Sequence, residues 1–310
     1  MINEKYEGYL YRLTGLFLSL VLFGCQQIDS TDDESRLVVI GDLHADIGAA
    51  HAAFKLAGST NDDGDWIGGD LTIVQLGDLI GRSYDDRQVL DFIFNLQEQA
   101  SSKGGSVFVV LGNHEVFGAQ LRIDYVDEEA WQAFDDIPNL ELDDPRIAVL
   151  PEYKRHRSAA LISGGPYAKR LAEFPTVLRL GDIIFAHGGV TPYWANYGIE
   201  KINDEVRRWF MGETEQPISA LGVDAGDPDD NVMMSRHFSK DVTEENCAML
   251  TESLSILGAQ MMIVAHEVQD SIGSSCDGKV WKVDVGMSRY YPGAPEVLEI
   301  RNDSVFSVIR

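Results

Sequence analysis

Five short polar motifs lie along this sequence, and together they contain the side chains that bind transition-metal ions in proteins. They hold carboxylates, one side-chain amide and four of the seven histidines. In chain order the motifs are Gly41-Asp42-Leu43-His44, Gly77-Asp78, Gly112-Asn113-His114-Glu115, His187-Gly188-Gly189 and Ala265-His266-Glu267. Carboxylate, amide oxygen and imidazole suit Mn²⁺, Fe or Zn²⁺, whereas an all-oxygen set would favour Mg²⁺ or Ca²⁺. The motifs therefore predict a transition-metal site.

The residue types are typical of sites that hold two metal ions. In such sites the ions lie roughly 3.5–4 Å apart, one shared carboxylate bridges them, and a bridging water loses a proton near neutral pH. The resulting hydroxide attacks a phosphate ester in line, without a covalent intermediate. The motifs therefore predict a two-metal hydrolase that acts on phosphate esters.

The elements that position the motifs are apolar, strand-like runs, one directly before each motif. These runs are Leu37–Ile40, Leu71–Leu76, Val107–Leu111, Ile183–Ala186 and Met261–Val264. An α/β sheet carries its functional groups on the loops that follow its strands. We therefore expect the five motifs to be neighbours in space, although they lie far apart along the chain.

The motifs and their flanking residues resemble the metal-dependent phosphoprotein phosphatases of the calcineurin-like superfamily, in particular the Shewanella-like bacterial branch. Four further stretches carry the likeness, namely 185–192, 202–209, 234–239 and 283–291. The likeness covers about residues 36–300 and is weakest between about 118 and 172. It implies a four-layer α/β/β/α sandwich, in which two mixed sheets pack face to face.

The resemblance also implies six metal ligands, all of which lie within the motifs. In chain order they are Asp42, His44, Asp78, Asn113, His187 and His266. The first two would hold one metal ion, and Asp78 would bridge it to the other. The last three would complete the second ion, with Mn²⁺ as the expected metal and Fe or Zn²⁺ as alternatives.

Three further residues match family positions that act on the substrate. His114 matches a histidine that is not a metal ligand and donates a proton to the leaving oxygen. Arg82 matches an arginine that binds phosphate oxygens through its planar fork, and Arg236 is a second phosphate-binding candidate. We therefore expect these three residues to be catalytic.

One position departs from the family pattern, which reads Gly-Asp-x-x-Asp-Arg. The segment here is Gly77-Asp78-Leu79-Ile80-Gly81-Arg82, so glycine replaces the second aspartate. In the family that carboxylate pairs with the histidine that His114 matches and favours its protonated form. His114 is therefore expected to be a weaker general acid. Carboxylates near in sequence that could replace the missing one are Asp46, Asp85, Asp86 and Glu115.

A weaker acid affects esters unequally, because leaving groups differ in how much protonation they need. An aryl oxide with a pKa of about 10 needs less than the alkoxide of a serine. The hypothesis is therefore a protein phosphatase that favours phosphotyrosine or aryl phosphates, acting on phosphorylated proteins or small phosphate esters. The alternatives are a hydrolase of nucleotides or dinucleoside polyphosphates, and a non-catalytic lipoprotein that binds metal or phosphate.

The N-terminus resembles a bacterial lipoprotein signal and is set apart from the fold. An apolar run from Leu13 to Phe23 is too short to span a bilayer, and it leads into Gly24-Cys25. We expect residues 1–24 to be a signal peptide, Cys25 to carry lipid, and residues 25–35 to form an acidic tether. The expected location is the periplasm or cell envelope. A plain cleaved secretion signal or an uncleaved anchor is the alternative.

The charge of the chain limits its partners. It carries 50 acidic and 25 basic side chains, a formal net charge of −25. This balance argues against nucleic-acid partners, because binding their phosphates requires clustered lysine and arginine. It also repels anionic esters, so metal ions and arginine must reverse the field within the site.

Two cysteines remain besides Cys25, namely Cys247 and Cys276. In an oxidising periplasm they could form one disulfide, but sequence does not reveal whether their geometry permits it. The alternative, which we favour from sequence, is two unrelated buried thiols.

Strand and helix patterns alternate along the mature chain, which favours the α/β class with right-handed crossovers. Residues 36–310 are long enough for one domain. The helical patterns outside the central segment are Ile47–Leu56, Gln88–Gln99, Asn203–Met211 and Glu244–Leu257. Hairpin strands are expected within Gly273–Asp284 and Glu296–Ile309.

Residues 116–175 interrupt this alternation and are expected to form a cap inserted over the site. The segment includes helical patterns at Glu128–Phe134 and Tyr167–Phe174. It also holds a basic cluster, residues 154–157. This cluster either attracts phosphorylated substrate or, in the interpretation that we favour, forms a solvated helix face.

Overall fold

The computed structural model describes residues 35–214, 231–302 and 304–310. The predicted signal peptide, the lipid-carrying Cys25 and all but the last residue of the predicted tether lie outside these residues. The described residues between 35 and 310 belong to one compact unit. None of the described helices is both long enough and apolar enough to cross a lipid bilayer.

The first sheet has a parallel centre and an antiparallel edge. The centre consists of β1 (Arg36–Ile40), β2 (Thr72–Gln75) and β3 (Ser106–Val109). A hairpin of β9 (Val297–Arg301) and β10 (Val305–Ile309) completes the strand order β10-β9-β1-β2-β3. Because β1, β2 and β3 run in the same direction, their carboxyl ends meet at one edge.

The second sheet has five strands among the residues that the structure describes. In spatial order they are β4 (Val177–Leu180), β5 (Ile183–Ala186), β6 (Met261–Val264), β8 (Val280–Lys282) and β7 (Gly273–Ser275). The three inner strands, β5, β6 and β8, are parallel to one another. Their carboxyl ends therefore also share one edge of the sheet.

Helices connect the strands. They are α1 (Ile47–Leu56), α2 (Asp86–Ser102), α3 (Asn113–Ala119), α4 (Pro145–Ala148), α5 (Arg155–Leu161), α6 (Pro166–Leu171), α7 (Pro192–Tyr197), α8 (Ile199–Phe210) and α9 (Glu244–Leu257). Short 3₁₀ helices occupy Ile123–Tyr125, Glu128–Phe134 and Glu152–Lys154. Asp46 caps α1 by accepting a hydrogen bond from the Ala49 amide at 3.0 Å, as short polar side chains commonly do at helix starts.

One continuous apolar core joins the two sheets. Val39 and Val74 of the first sheet and Phe185 and Ile263 of the second are all completely buried within it. Helix α2 packs against β3, and α8 packs against β4. The predicted α/β class and the sandwich of two mixed sheets are thereby confirmed, as are the strands predicted before each motif.

The segment 116–175 packs into the domain beside α2. The Tyr167 hydroxyl donates to Asp91 Oδ1 in α2 at 2.8 Å. Arg157 is only 3% exposed, and its Nε donates to Asp86 Oδ2 at 2.6 Å. The expectation of a solvated basic face is therefore wrong for Arg157, because an ion-pair partner on α2 allows its burial. The cap over the site stays a prediction.

Cys247 in α9 and Cys276 after β7 form a disulfide, with their Cα atoms 5.2 Å apart. The sequence expectation of two unrelated thiols is therefore wrong. Pairing depends on the distance and direction of two side chains from separate elements, which sequence spacing does not encode. The bond ties α9 to the β7–β8 hairpin.

We expect Cys247→Ser together with Cys276→Ser to lower the free energy of unfolding by about 3–4 kcal/mol, because the bond restricts the unfolded chain. The two cysteines are separated by 29 positions in sequence. Denaturant titration of the wild type and the double variant measures this difference. Reductant is the control, since it should destabilise the wild type and leave the variant unchanged. Equal stability of both proteins would show that the bond contributes nothing.

Candidate metal centre

The motifs follow the carboxyl ends of β1, β2 and β3 in one sheet and of β5 and β6 in the other. Backbone hydrogen bonds join their loops. The His44 amide donates to the Asp78 carbonyl at 2.8 Å, and the Ala265 amide donates to the His187 carbonyl at 2.9 Å. The His187 ring links the two sheets, because its Nδ1 donates to the Leu76 carbonyl at 2.6 Å. The predicted convergence of the loops is therefore present.

Glycine is required where the β2 and β3 loops meet. A Cβ atom on Gly77 would lie 2.4 Å from the backbone nitrogen of Gly112. One on Gly112 would lie 2.3 Å from Asp78 Oδ1. Any larger residue at either position would push the loops apart, and with them the carboxylate of Asp78.

Glu115 joins the same two loops from within. Its buried carboxylate accepts four backbone hydrogen bonds at 2.8–3.3 Å. The donors are the amides of Asp78, Leu79, Ile80 and Gly112. This one side chain therefore connects the loop after β2 to the loop after β3. Glu115 therefore fixes the backbone from which Asp78 projects.

Asp78 lies at the centre of the predicted ligands. Its Oδ2 is 3.4 Å from His187 Nε2 and 3.8 Å from His44 Nε2. His44 Nε2 also lies 3.7 Å from Asp42 Oδ2. A carboxylate between two imidazoles in this way is positioned to be shared by two cations.

Two groups of three side chains among the described residues could each hold an ion, with ligand atoms within 4.8 Å of one another. The groups are His44, Asp78 and His114, and Asp78, His187 and His266. Asp78 belongs to both groups, and its bridging role stays a prediction. The first group includes His114, which the family resemblance instead makes a proton donor.

Several polar atoms of this cluster are buried without partners. Both carboxylate oxygens of Asp42 and Nε2 of His266 have no hydrogen-bond partner among the residues that the structure describes. His187 Nε2 lies 3.0 Å from Asn113 Oδ1. Buried polar atoms require partners, and a cation would satisfy the carboxylate oxygens of Asp42 and the Nε2 of His266. The donor set therefore fits metal ions.

Burial and neighbouring charged groups together determine the ionisation of the predicted ligands. Burial lowers the pKa of His44 to about 4 and also lowers the pKa of His266. Both imidazoles are therefore neutral at pH 7, which is the form that binds metal. Burial alone would raise the pKa of Asp78, but His187 and His114 outweigh it and hold this pKa well below its usual value. Asp78 is thus an anion at neutral pH.

Four predicted site residues have left-handed backbone conformations. Their φ angles are +46° for His44, +50° for Asp78, +71° for Arg82 and +70° for His266. Each such residue costs about 1–3 kcal/mol, and these conformations cluster at functional sites where the surroundings impose them. The site therefore depends on the loops being held firmly.

The two candidate phosphate-binding arginines differ in their partners. The Nε of Arg236 donates to Glu267 Oε2 at 2.7 Å. Arg82 contacts the hydroxyl of Tyr290 at 3.4 Å, and its buried Nε has no partner among the described side chains. Arg82 is therefore the guanidinium with free donors for an anion, because no described carboxylate pairs with it.

His114 lies where a side chain at residue 81 would have to be. Its Nε2 is 4.0 Å from Asp78 Oδ2, and its ring packs edge-on against His44 with centroids 4.8 Å apart. A Cβ atom on Gly81 would lie 2.2 Å from His114 Nδ1. The loss of the family aspartate therefore also makes room for the imidazole.

The carboxylates predicted as possible substitutes are all bound elsewhere. Glu115 holds the loop amides, and Asp86 accepts hydrogen bonds from Arg157 and from the Gly81 amide. The other two, Asp46 and Asp85, accept hydrogen bonds from the side chain of Arg289. Within the described part of the chain, only Asp78 places a carboxylate within 4.0 Å of the His114 ring nitrogens. The missing aspartate therefore has no replacement among the described residues.

Asp284 is a site residue that sequence reasoning did not select. It is 1% exposed, and its Oδ2 has no partner among the described residues. Burial raises its pKa to about 6, and its charge helps to raise the pKa of the buried Asp42. Asp284 follows β8 closely, just as the motifs follow their strands. Its position just after a strand is the sequence signal that could have identified Asp284.

Two stacked sheets with carboxylates and imidazoles buried at their strand ends define a metal-dependent hydrolase. Residues 35–270 match the family model described as calcineurin-like phosphoesterase. The chain belongs to this family, whose members depend on two metal ions, and it is a metal-dependent phosphoesterase. The family predicted from the motifs is thereby confirmed.

Relatives and solved structures agree with this assignment. Shewanella-like protein phosphatase 2 of Arabidopsis thaliana is 34% identical over 96% of this chain and 84% of its own length. Shewanella-like protein phosphatase 1 of Plasmodium berghei (strain Anka) is 27% identical over 90% and 75%. The cold-active protein-tyrosine phosphatase of a psychrophilic Shewanella species superposes with a TM-score of 0.68 at 21% identity, covering 89% of this chain and 80% of that one. This last likeness shows a shared fold.

We expect Gly81→Ala to destabilise the protein more than Gly104→Ala. Both glycines have positive φ, +79° and +89°, but a Cβ atom on Gly104 would meet nothing within 4 Å. A left-handed alanine costs about 1–2 kcal/mol, and overpacking against His114 adds about 1–3 kcal/mol at residue 81 alone. Urea denaturation of both variants measures the difference. Equal costs would contradict the close packing of Gly81 and His114.

Proposed function

We propose that this protein hydrolyses phosphate monoesters with two bound metal ions, and that its substrates are proteins carrying phosphotyrosine. The observation that carries the proposal is a set of unpaired, buried metal-binding atoms beside Arg82, whose guanidinium has no carboxylate partner among the described residues. Cations beside such a guanidinium attract a dianionic ester. The net charge of −25 makes this local positive field necessary.

The proposed ligands are the six side chains that the motifs supply. Asp42 and His44 would hold the first ion, Asp78 would be shared, and Asn113, His187 and His266 would complete the second ion. When bound, two such ions lower the pKa of a water molecule and polarise the phosphoryl oxygens. Mn²⁺ is the proposed metal, with Fe or Zn²⁺ as alternatives, because the donor set mixes oxygen with imidazole nitrogen.

Two further side chains act directly on the ester. Arg82 binds two phosphoryl oxygens through its planar fork and orients the ester for in-line attack. His114 donates a proton to the ester oxygen that leaves. The only carboxylate within 4.0 Å of its ring nitrogens among the described residues is Asp78, which is itself a proposed ligand. His114 therefore has no carboxylate of its own, among the described residues, to stabilise its protonated form.

This weak acid favours substrates whose leaving group needs little protonation. An aryl oxide, with a pKa of about 10, is such a group, whereas the alkoxide of serine is not. Relatives of this chain are named protein phosphatases, and a protein-tyrosine phosphatase shares its fold. These names support a phosphoprotein substrate. The weak acid His114, which has no carboxylate of its own, supports a phosphotyrosine ester.

We further propose that the protein works outside the cytoplasm and is held to the membrane by lipid at Cys25. The lipobox-like ending Leu22-Phe23-Gly24-Cys25 motivates this proposal, and the disulfide supports an oxidising compartment. Mass spectrometry of the mature N-terminus should detect a lipid-modified Cys25. Cys25→Ser should release the protein from the membrane fraction. An unprocessed Met1 in the purified protein would contradict the proposal.

The substrate proposal is tested with the full chain loaded with Mn²⁺. We expect kcat/KM for an aryl phosphate and a phosphotyrosine peptide to exceed that for a phosphoserine peptide by about tenfold or more, because the better leaving group offsets a weak acid. Steady-state hydrolysis of the three esters measures this ratio. Equal or faster turnover of phosphoserine would overturn the preference, and hydrolysis of nucleotides alone would favour the nucleotide alternative.

Two variants serve as controls for the assigned roles. Asp78→Ala should abolish both turnover and metal loading, because the shared ligand is lost. His114→Ala should reduce turnover but retain metal, as measured by elemental analysis of the purified protein. Loss of metal from His114→Ala would instead make His114 a ligand, as its grouping with His44 and Asp78 allows.

A further inference from the structure

Three tyrosine rings surround the guanidinium of Arg82. Its Cζ lies 4.6 Å from the ring centroid of Tyr125, 5.1 Å from that of Tyr290 and 5.9 Å from that of Tyr291. We name Tyr125, Tyr290 and Tyr291 the aromatic collar. Such distances give cation–π attraction, which orients the guanidinium without using up its charge as a carboxylate would. The collar therefore holds Arg82 ready for an anion.

The collar also borders the metal centre on two sides. The Tyr291 ring lies 5.3 Å from that of His44, and the Tyr125 ring lies 5.5 Å from that of His114. Phe117 stacks on Tyr125 from behind, at 5.1 Å. Tyr290 itself is 51% exposed. The collar therefore places one solvent-exposed tyrosine ring, that of Tyr290, beside Arg82.

The loop that carries Tyr290 and Tyr291 is fixed by Arg289. The Arg289 guanidinium donates to both carboxylate oxygens of Asp46 at 3.0 Å and to Asp85 Oδ2 at 2.8 Å. The backbone amide of Arg289 adds a further hydrogen bond to Asp46 at 2.8 Å. These carboxylates lie on the loops after β1 and β2, which also carry predicted metal ligands. Arg289 thus fixes the position of Tyr290 and Tyr291 relative to the loops that carry the predicted metal ligands.

We propose that Tyr290 is a specificity-determining residue that contacts the aromatic ring of an aryl phosphate ester. The proposal rests on the proposed function and deepens it, because it concerns the alcohol part of the same substrate. An ester whose phosphate is bound by Arg82 has the rings of the collar within reach of its alcohol part, because their centroids lie 4.6–5.9 Å from Arg82 Cζ. An aryl group gains ring contact with Tyr290 there, whereas the short side chain of phosphoserine does not.

The contact is a binding interaction, which distinguishes it from the leaving-group effect of His114. Ring contact strengthens the binding of any aryl phosphate or phosphonate, whether or not a bond is broken. A weak acid instead changes only the rate of bond cleavage. Ligands that cannot be hydrolysed therefore isolate the role of Tyr290.

The experiment compares phenylphosphonate with methylphosphonate, which share the anionic group and differ in the ring. Calorimetric titration of each into the Mn²⁺-loaded full chain measures its Kd. Tyr290→Ala should weaken phenylphosphonate about threefold to tenfold more than it weakens methylphosphonate, the range expected for one aromatic contact. Tyr290→Phe keeps the ring and should retain wild-type binding. Tyr153→Ala is the matched control, since Tyr153 is 56% exposed and lies outside the collar.

The outcomes separate this inference from the proposed function. Equal weakening of both phosphonates by Tyr290→Ala, or no weakening of either, would overturn the role of Tyr290. The same holds if Tyr290→Phe fails to restore phenylphosphonate binding. Failure of the wild type to hydrolyse any ester would instead overturn the proposed function, while the binding comparison would still decide the role of Tyr290.

Discussion

The metal centre depends on one close approach of backbone, where the loops after β2 and β3 touch. Glycine at residues 77 and 112 allows contact at distances that no Cβ atom permits. The carboxylate of Glu115 then holds both loops through four amide hydrogen bonds. From this junction Asp78 projects with a left-handed backbone that it would not adopt alone. Three of the other predicted ligands, His44, His187 and His266, lie around that carboxylate.

The same site concentrates buried negative charge in a protein that is already strongly acidic. Asp42, Asp78, Asp284 and Glu115 are each at most 2% exposed. Burying charges of one sign together is unfavourable, so the pKa of Asp42 and that of Asp284 rise. Divalent cations resolve this repulsion and also reverse the local field that would repel a phosphate ester. The arrangement that favours metal binding is therefore the one that makes an anionic substrate acceptable.

Two independent features of the site point to the same class of ester. The first is chemical, because His114 occupies the space beside Gly81 and has no carboxylate of its own to favour protonation. The second is ring contact, because the aromatic ring of Tyr290 lies beside Arg82. In the proposed reaction the first would act on bond cleavage and the second on binding. Together they support the aryl ester that we propose as the substrate.

Local periodicity in the sequence was enough to predict the α/β class and the strands before the motifs, whereas the family and the candidate ligands came from the resemblance of the motifs to known members. The disulfide between Cys247 and Cys276, the buried ion pair of Arg157 and the place of Asp284 beside the candidate ligands became visible in three dimensions. The tertiary structure also decided that His114 fills the space next to Gly81. These features depend on distances between elements that are remote along the chain, and neither composition nor periodicity encodes such distances.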